Sequence, residues 1–227
     1  MTEKAFQAVS EEQINRITAR LSETLSENRK KHTFFVEKEA LALAETLVLV
    51  YNIDDAFKND LRAAALLHDI TKELPLSEQL SLCKTYDIDP GEHPSGAILH
   101  GHTAAYVGRA EFGINERVFS AVYCHTTGKA SMSVMDKLLF LADYIEPSRT
   151  HAACKQTRAY YYAQLEARGA REALQILDET TLLCLDKTLA HLLEKGNLID
   201  LETVKARNAL VAQNVCVRTA LLQETDT

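Results

Sequence analysis

Six residues of types that bind metal ions are spread along this chain: His32, His68, Asp69, His100, His125 and Asp143. Imidazole nitrogens and carboxylate oxygens without thiolate suit iron, manganese, zinc, cobalt or nickel, and the residues alone do not separate these metals. His68 and Asp69 follow the apolar run Ala-Ala-Ala-Leu-Leu, and two polar side chains at the end of such a face need a partner. A metal ion is the simplest partner.

A single histidine on a helix is weak evidence for metal, because most are hydrogen-bonded core or surface residues. The argument rests on the set, since each of the four histidines, and Asp143, falls on the apolar side of a different predicted helix. Random placement of the eight histidines in the chain would seldom give this arrangement. The pattern therefore predicts that several helices converge on one metal site.

The helices that position these residues follow from apolar residues at helical spacing along nearly the whole chain, which predicts an all-α fold. Capping signals at Ser10, Asn115 and Ser133 each mark a helix start. Further helices are predicted over residues 31–51, from about 60 to Pro75, over 77–86, from 99 to a stop at Gly113, over 170–195 and from about 200. The segment 89–96, rich in Gly and Pro, is predicted to be a loop.

Length and composition limit the remaining choices. We expect one domain over residues 1–227, with a core from about 13 to 210 and a polar tail, about 212–227, that frays. The net charge of −7 argues against a nucleic-acid partner, and no segment is apolar enough to be a signal peptide or to span a membrane. Five dispersed cysteines indicate a reducing compartment, so we expect a cytoplasmic protein.

The order His, His-Asp and late Asp, with two histidines between, resembles the HD superfamily of metal-dependent phosphohydrolases. Three longer stretches, residues 67–72, 123–128 and 141–149, resemble the YqeK-type symmetrical diadenosine tetraphosphate hydrolases of bacteria. The resemblance covers about residues 13–210. It implies an HD-domain helical bundle with a di-metal site in the core, and specifically a di-iron centre.

The resemblance also implies how the six ligands divide. His32, His68, Asp69 and Asp143 would hold the first metal, while Asp69 would bridge to a second metal held by His100 and His125. Water activated by the two metals would cut a phosphoanhydride of diadenosine tetraphosphate, giving two ADP. Asp69 and Lys72 are accordingly the candidate catalytic residues.

Phosphate contacts are predicted from residues beside the ligands. The candidates are Lys72, Thr126, Thr127, Gly128 and Arg149. Lys72 lies one turn beyond the His-Asp pair, and the hydroxyls and backbone N–H groups of 126–128 follow a ligand at a helix end. Gly128 is equally explained by a helix stop, and Arg149 by a surface ion pair with Glu146.

The Gly101-His102 pair departs from the family pattern, because His102 offers a second imidazole beside His100. Two positions turn a helix by about 200°, so both rings cannot face one metal cluster. We assign His100, which shares its face with Ala104 and Val107, and we place His102 on the wetter side. The remaining histidines, His93, His151 and His191, are interpreted as surface or structural residues.

Three other functions stay open at this point. They are another HD-type nucleotide phosphohydrolase, a di-iron oxygenase using the same ligands, and a nucleotide sensor that retains metal without turnover. The cations Lys72 and Arg149 favour hydrolysis of a dinucleoside polyphosphate, and the complete ligand set argues against the sensor. The amphipathic C-terminal helices leave a homodimer open.

Overall fold

The computed structural model describes residues 7–224, with side chains described through Gln213. This part of the chain is all-α, as predicted, and contains no strand. Its helices are α1 (Glu11–Thr24), α2 (Glu27–Thr46), α3 (Asp55–Leu67), α4 (Leu76–Tyr86), α5 (Gly96–Val107), α6 (Glu116–Cys124), α7 (Val134–Ile145), α8 (Ala152–Arg168), α9 (Ala173–Glu194) and α10 (Leu201–Glu224). A π-helical turn (Gly108–Phe112) extends α5, and a 3₁₀ turn (Ala170–Glu172) precedes α9.

The three predicted helix caps are confirmed. The side chains of Ser10, Asn115 and Ser133 each accept a hydrogen bond from the backbone N–H three residues on, at 3.2, 3.0 and 3.2 Å. The predicted stop at Gly113 is also found, since this residue has a φ of 65°, which glycine adopts without strain. Each of these signals depends on contacts between residues close in sequence, so the sequence alone could predict it.

Helix α2 differs from its predicted range of 31–51 at both ends. It begins at Glu27, because the Ser26 hydroxyl accepts a hydrogen bond from the backbone N–H of Arg29. It ends at Thr46, and the chain passes through a turn before Tyr51. His32 therefore lies in the second turn of α2, with a full turn of helix before it.

Helix α3 begins at Asp55, earlier than predicted, because the Asp54 carboxylate accepts from the Phe57 N–H at 2.7 Å. The predicted end at Pro75 is wrong, since α3 stops at Leu67 and residues 68–74 form successive turns. A long-range contact supports these turns, with the Thr71 hydroxyl donating to the His100 carbonyl at 2.8 Å. His68 and Asp69 thus lie just beyond the helix.

The C-terminal third contains a helix that the sequence patterns missed. Helix α8 mixes alanines and tyrosines with polar residues, and of its 17 residues Thr157 and Tyr161 are buried, so its apolar stripe is weak. Helix α5 begins at Gly96, before the predicted Leu99, because Ser95 caps it. Most of the predicted polar tail, 212–227, falls on α10, whose backbone continues to Glu224. The last three residues of the tail, 225–227, lie outside the described residues.

The core forms where α2, α3, α6 and α7 pack together. Helix α2 lies against α3 and α7, α6 contacts α3, α5 and α7, and α9 packs on α7 from outside. Buried leucines from these helices, such as Leu43, Leu61 and Leu139, fill the interior. The ends of α3, α6 and α7 reach one side of this core, beside α5 and the start of α2. No helix in the described residues has the length and apolarity needed to cross a membrane.

Candidate metal centre

The structure brings all six predicted ligands together. His32 comes from α2, His68 and Asp69 follow α3, His100 lies on α5, His125 follows α6, and Asp143 is in the last turn of α7. The four histidines and Asp69 are buried, whereas Asp143 is partly exposed. Five segments, distant in sequence, therefore meet at one point.

The first group of donor atoms lies around Nε2 of His32. This nitrogen is 3.0 Å from Oδ1 of Asp143, 3.4 Å from Nε2 of His68 and 3.5 Å from Oδ2 of Asp69. Nε2 of His68 is 3.3 Å from the same Asp69 oxygen. The atoms of His32, His68 and Asp69 are close enough together for one ion to contact all three. Oδ1 of Asp143 lies 3.0 and 3.9 Å from the two imidazole nitrogens of this group.

The second group lies around Nε2 of His100. This nitrogen is 3.0 Å from Nε2 of His125 and 3.1 Å from Oδ1 of Asp69. Asp69 therefore directs one oxygen to each group, Oδ2 toward His32 and His68 and Oδ1 toward His100 and His125. Each group could hold one ion, with Asp69 offering an oxygen to both.

Hydrogen bonds on the outer side fix the tautomer of three rings. Nδ1 of His68, His100 and His125 lies 2.6, 3.2 and 2.7 Å from the backbone carbonyls of Ala65, Gly96 and Val122. Because a carbonyl only accepts, each Nδ1 carries the proton, and each Nε2 presents a bare lone pair to the centre. Lone pairs that face carboxylates and one another need a cation between them, so the donor set fits metal ions.

The ionisation of His32 supports the same conclusion. Burial alone lowers the pKa of this imidazole, but hydrogen bonds to Asp143 and Asp69 outweigh it and raise the pKa to about 9. A proton on His32 is then the positive charge that the surrounding carboxylates attract.

The other groups shift in directions that suit ligands. Burial, together with the neighbouring His100 and His68, lowers the pKa of His125 to about 3, and burial also lowers that of His100, so both stay neutral. Burial raises the pKa of Asp69, yet the neighbouring imidazoles, His68 first, hold it well below its usual value. Both carboxylates of the centre are ionised, because burial of Asp143 is likewise outweighed by Arg149 and His32.

A pocket of about 180 Å³ opens onto the two groups. It is lined by Arg29, Asp69, Lys72, His100, His125, Thr126, Phe140, Asp143, Tyr144, Arg149 and Thr188. Three of these side chains are cationic. Arg29 donates to Asp69 Oδ2 at 2.7 Å, Arg149 pairs with Asp143 at 2.5 Å, and Nζ of Lys72 lies 3.2 Å from Nε2 of His100. The pocket thus has acidic and imidazole groups at its base and cations around them.

The predicted phosphate contacts divide between this pocket and the core. Lys72, Thr126 and Arg149 line the pocket, as expected of substrate contacts. Thr127 and Gly128 do not: the Thr127 hydroxyl is buried and donates to the carbonyl of Gly128 at 3.0 Å. A Cβ on Gly128 would lie 2.9 Å from Cβ of Ala206, so this turn is packed against α10.

The choice between His100 and His102 agrees with the geometry. His102 lies outside both donor groups and the pocket lining, and its ring stacks on Tyr123 with centroids 4.1 Å apart. His102 lies on the wetter side of α5, as predicted, because its ring is half-buried in this stack whereas His100, Ala104 and Val107 are buried. His93, His151 and His191 are exposed, as interpreted from the sequence.

Two residues beside the centre were missed by the sequence analysis as site residues. Arg29 lies one helical turn before His32 on α2, and this i, i+3 spacing is its one local signal, shared by many surface arginines. Glu146 was considered only as an ion-pair partner of Arg149, whereas its carboxylate contacts Nδ1 of His32 at 3.1 Å. That contact joins residues 114 apart in sequence, so no local pattern reports it.

Comparisons with known proteins agree with this geometry. The family model described as HD domain matches residues 29–148, a segment that contains all six clustered residues. The chain is 32% identical to a symmetrical bis(5'-nucleosyl)-tetraphosphatase of Staphylococcus aureus, over 82% of this chain and 88% of the relative. A protein with the same description from Halalkalibacterium halodurans is 31% identical over 83% of this chain and 92% of that protein.

A solved structure is also similar. The crystal structure of a predicted HD superfamily hydrolase involved in NAD metabolism, from Clostridium acetobutylicum, superimposes with a TM-score of 0.70. The two sequences are 29% identical, and the match covers 88% of this chain and 97% of the other. Fold and sequence therefore point to the same family.

Proposed function

The chain belongs to the HD-domain family, and within it to the symmetrical bis(5'-nucleosyl)-tetraphosphatases, and from this premise we propose that it hydrolyses diadenosine tetraphosphate to two ADP. Water attacks one of the two central phosphorus atoms, and the anhydride oxygen between them leaves with the other ADP. One water is consumed for each anhydride bond that breaks.

The observation that carries this proposal is the division of the Asp69 carboxylate between two histidine pairs. His32, His68, Asp69 and Asp143 would hold one ion, and Asp69, His100 and His125 would hold the other. Two ions in such an arrangement, when bound, supply an activated water and neutralise charge on the phosphoryl oxygens. The protein's part is to fix these six side chains before substrate arrives, which their outer hydrogen bonds and burial support.

The pocket cations support a polyphosphate substrate. The chain carries a net charge of −7, so attraction for an anion must come from local groups. Lys72, Arg149 and Arg29 line the pocket beside the donor groups and would donate to non-bridging phosphate oxygens. The Thr126 hydroxyl, on the same wall, would provide a further hydrogen bond. The cationic lining therefore favours hydrolysis of an anionic polyphosphate over the oxygenase alternative.

We propose iron as the resident metal on the strength of the family resemblance, while the ligand types also suit manganese, cobalt, nickel and zinc. Elemental analysis of protein purified without added metal decides between them. The proposal expects about two metal atoms per chain, with iron in excess.

The activity is tested by incubating metal-analysed protein with diadenosine tetraphosphate without oxygen and separating the nucleotides by chromatography. ADP as the sole product is expected. ATP together with AMP would contradict the symmetrical cut, and a product that forms only in the presence of oxygen would favour the oxygenase. The Asp178→Asn variant is a control for the loss of a carboxylate outside the pocket, where Asp178 pairs with Lys137. It is expected to form ADP as wild type does.

A further inference from the structure

His32 differs from the other three clustered histidines in what holds its outer nitrogen. Backbone carbonyls accept hydrogen bonds from Nδ1 of His68, His100 and His125. Nδ1 of His32 instead lies 3.1 Å from Oε1 of Glu146. Every residue has a backbone carbonyl, so substitution at Ala65, Gly96 or Val122 would leave the acceptor in place. The carboxylate that contacts His32 is present only while residue 146 is acidic. The orientation of His32 therefore depends on residue 146.

Glu146 is itself held firmly. It is fully buried, directly after α7. Its Oε1 accepts from the Ser148 hydroxyl at 2.6 Å, and its Oε2 accepts from the Ser148 backbone N–H at 2.6 Å. The guanidinium of Arg158 donates to the carbonyls of Ile145 and Glu146, which fixes the backbone of this turn. The carboxylate is thus aimed at His32 from a rigid position.

We propose that Glu146 is the positioning residue of the first metal site, keeping the proton of His32 on Nδ1 so that Nε2 offers its lone pair to the ion. The inference rests on the proposed metal centre but not on the proposed substrate. It assigns a function to a side chain that does not line the pocket. Glu146 contacts His32 at Nδ1, on the side of the ring away from the donor atoms. Partners of this kind typically change metal affinity by about 10- to 100-fold.

The Glu146→Gln variant tests the proton's position with almost no change in size. Ser148 presents an N–H to one oxygen of Glu146, so the amide oxygen of glutamine would take that place. The amide NH₂ would then face Nδ1 of His32 and donate to it, which moves the ring proton to Nε2. The opposite rotamer sets the NH₂ against the Ser148 N–H, leaving two donors in contact.

The experiment is a Zn²⁺ titration of metal-free protein against a competing chelator, with ¹⁵N NMR of the histidine rings in the Zn²⁺-loaded state. Wild type is expected to bind two ions, with the His32 proton on Nδ1. Glu146→Gln is expected to bind one ion with unchanged affinity and the other about 10- to 100-fold more weakly. Glu39→Gln is the matched control, because Glu39 is also a buried carboxylate but accepts from Tyr162 instead of His32.

The outcomes separate this inference from the proposed function. Wild type that binds no Zn²⁺ would overturn the metal centre itself. Wild type and Glu146→Gln with two equally tight ions and the same His32 tautomer would overturn the role of Glu146 alone. An equal loss of affinity in Glu39→Gln would also overturn it, since any buried carboxylate would then have the same effect.

Circular dichroism and thermal unfolding check that the variants fold. Should Glu146→Gln fail to fold, Ser148→Ala takes its place, because it leaves the carboxylate but removes the hydroxyl that holds Oε1. A weaker affinity for one of the two ions is again expected. Two ions bound as tightly as in wild type would contradict the proposal.

Discussion

Asp69 holds both donor groups because each of its oxygens faces a different histidine pair. Asp69→Asn keeps the size of the side chain but turns one oxygen into an NH₂ group, which cannot bind a metal. We expect at least one metal per chain to be lost, with a fall in kcat of about 1,000-fold, or about 4 kcal/mol. Metal analysis and steady-state rates measure both. Two metals and full turnover in this variant would refute the site.

The two neighbouring histidines of α5 should behave differently. Nε2 of His100 lies 3.1 Å from Asp69, while His102 stacks on Tyr123. His100→Ala is expected to lower kcat by about 100-fold or more, since it removes a ligand, and His102→Ala to change it by less than about threefold. Rates measured at saturating metal compare the two variants. A larger loss for His102→Ala would move the ligand by two positions.

Arg29 is the pocket cation that the sequence analysis did not single out. Its guanidinium donates to Asp69 at 2.7 Å and is half-buried. A charge-assisted hydrogen bond to phosphate contributes about 1.5–3 kcal/mol, so we expect Arg29→Ala to lower kcat/KM by about 10- to 100-fold. Arg20→Ala is the control, because Arg20 pairs with Glu111 and does not line this pocket. Equal kcat/KM for Arg29→Ala and wild type would remove Arg29 from the substrate site.

At the scale of elements, α5 and the end of α6 approach closely at Gly101. A Cβ there would lie 3.2 Å from Cε1 of His125 and 3.3 Å from the carbonyl oxygen of Tyr123. Alanine normally favours a helix over glycine by about 1 kcal/mol, so a loss in Gly101→Ala reports this contact. We expect the His125 ring to shift and the second metal to bind more weakly.

Gly108 provides the comparison, because it follows Gly101 along the same helical run. A Cβ on Gly108 would meet the side chains of Ile114 and Leu67, at 2.7 and 3.2 Å, and no clustered residue. Gly108→Ala should alter the thermal midpoint while leaving metal stoichiometry at the wild-type value. Calorimetry and metal titration of the two variants make this comparison. Equal metal loss in both would show that the effect at Gly101 is general destabilisation.

The elements show which predictions sequence could support. Caps at Ser10, Asn115 and Ser133 were correct because a cap is a contact across three residues. The end of α3 was wrong because no glycine or proline marks Leu67, and a hydrogen bond from Thr71 to the carbonyl of His100 supports the turns that follow. Tertiary contacts of this kind leave no local trace.

The same division holds for the candidate site. The six clustered residues could be predicted because their types are unusual on apolar helix faces and match a family pattern. Arg29 and Glu146 could not be assigned, since arginine and glutamate are ordinary on helix surfaces and their contacts to Asp69 and His32 span 40 and 114 residues. Thr127 and Gly128 match the family stretch, yet their turn is buried against α10.

On the scale of the whole molecule, the metal centre adds polar contacts between segments whose helices also pack together through the apolar core. The donors span residues 32–143 and come from the regions of α2, α3, α5, α6 and α7. Without ions, carboxylates and imidazole lone pairs are gathered in a buried space, and a proton on His32 offsets part of that charge. Ions bound only by the folded chain therefore stabilise the fold as well as the chemistry.

Removing the metals should lower the stability of the entire fold. An ion at about 1,000 times its Kd adds about 4 kcal/mol, which corresponds to about 10 °C in Tm for a chain of this size. We expect chelation to lower Tm by about this amount and re-addition of metal to restore it, as measured by calorimetry. Asp69→Asn should show a much smaller metal-dependent shift, because its donor groups are incomplete. If chelated and metal-loaded wild type unfold at one temperature, the cluster does not bind ions tightly, and the metal centre would have to be abandoned.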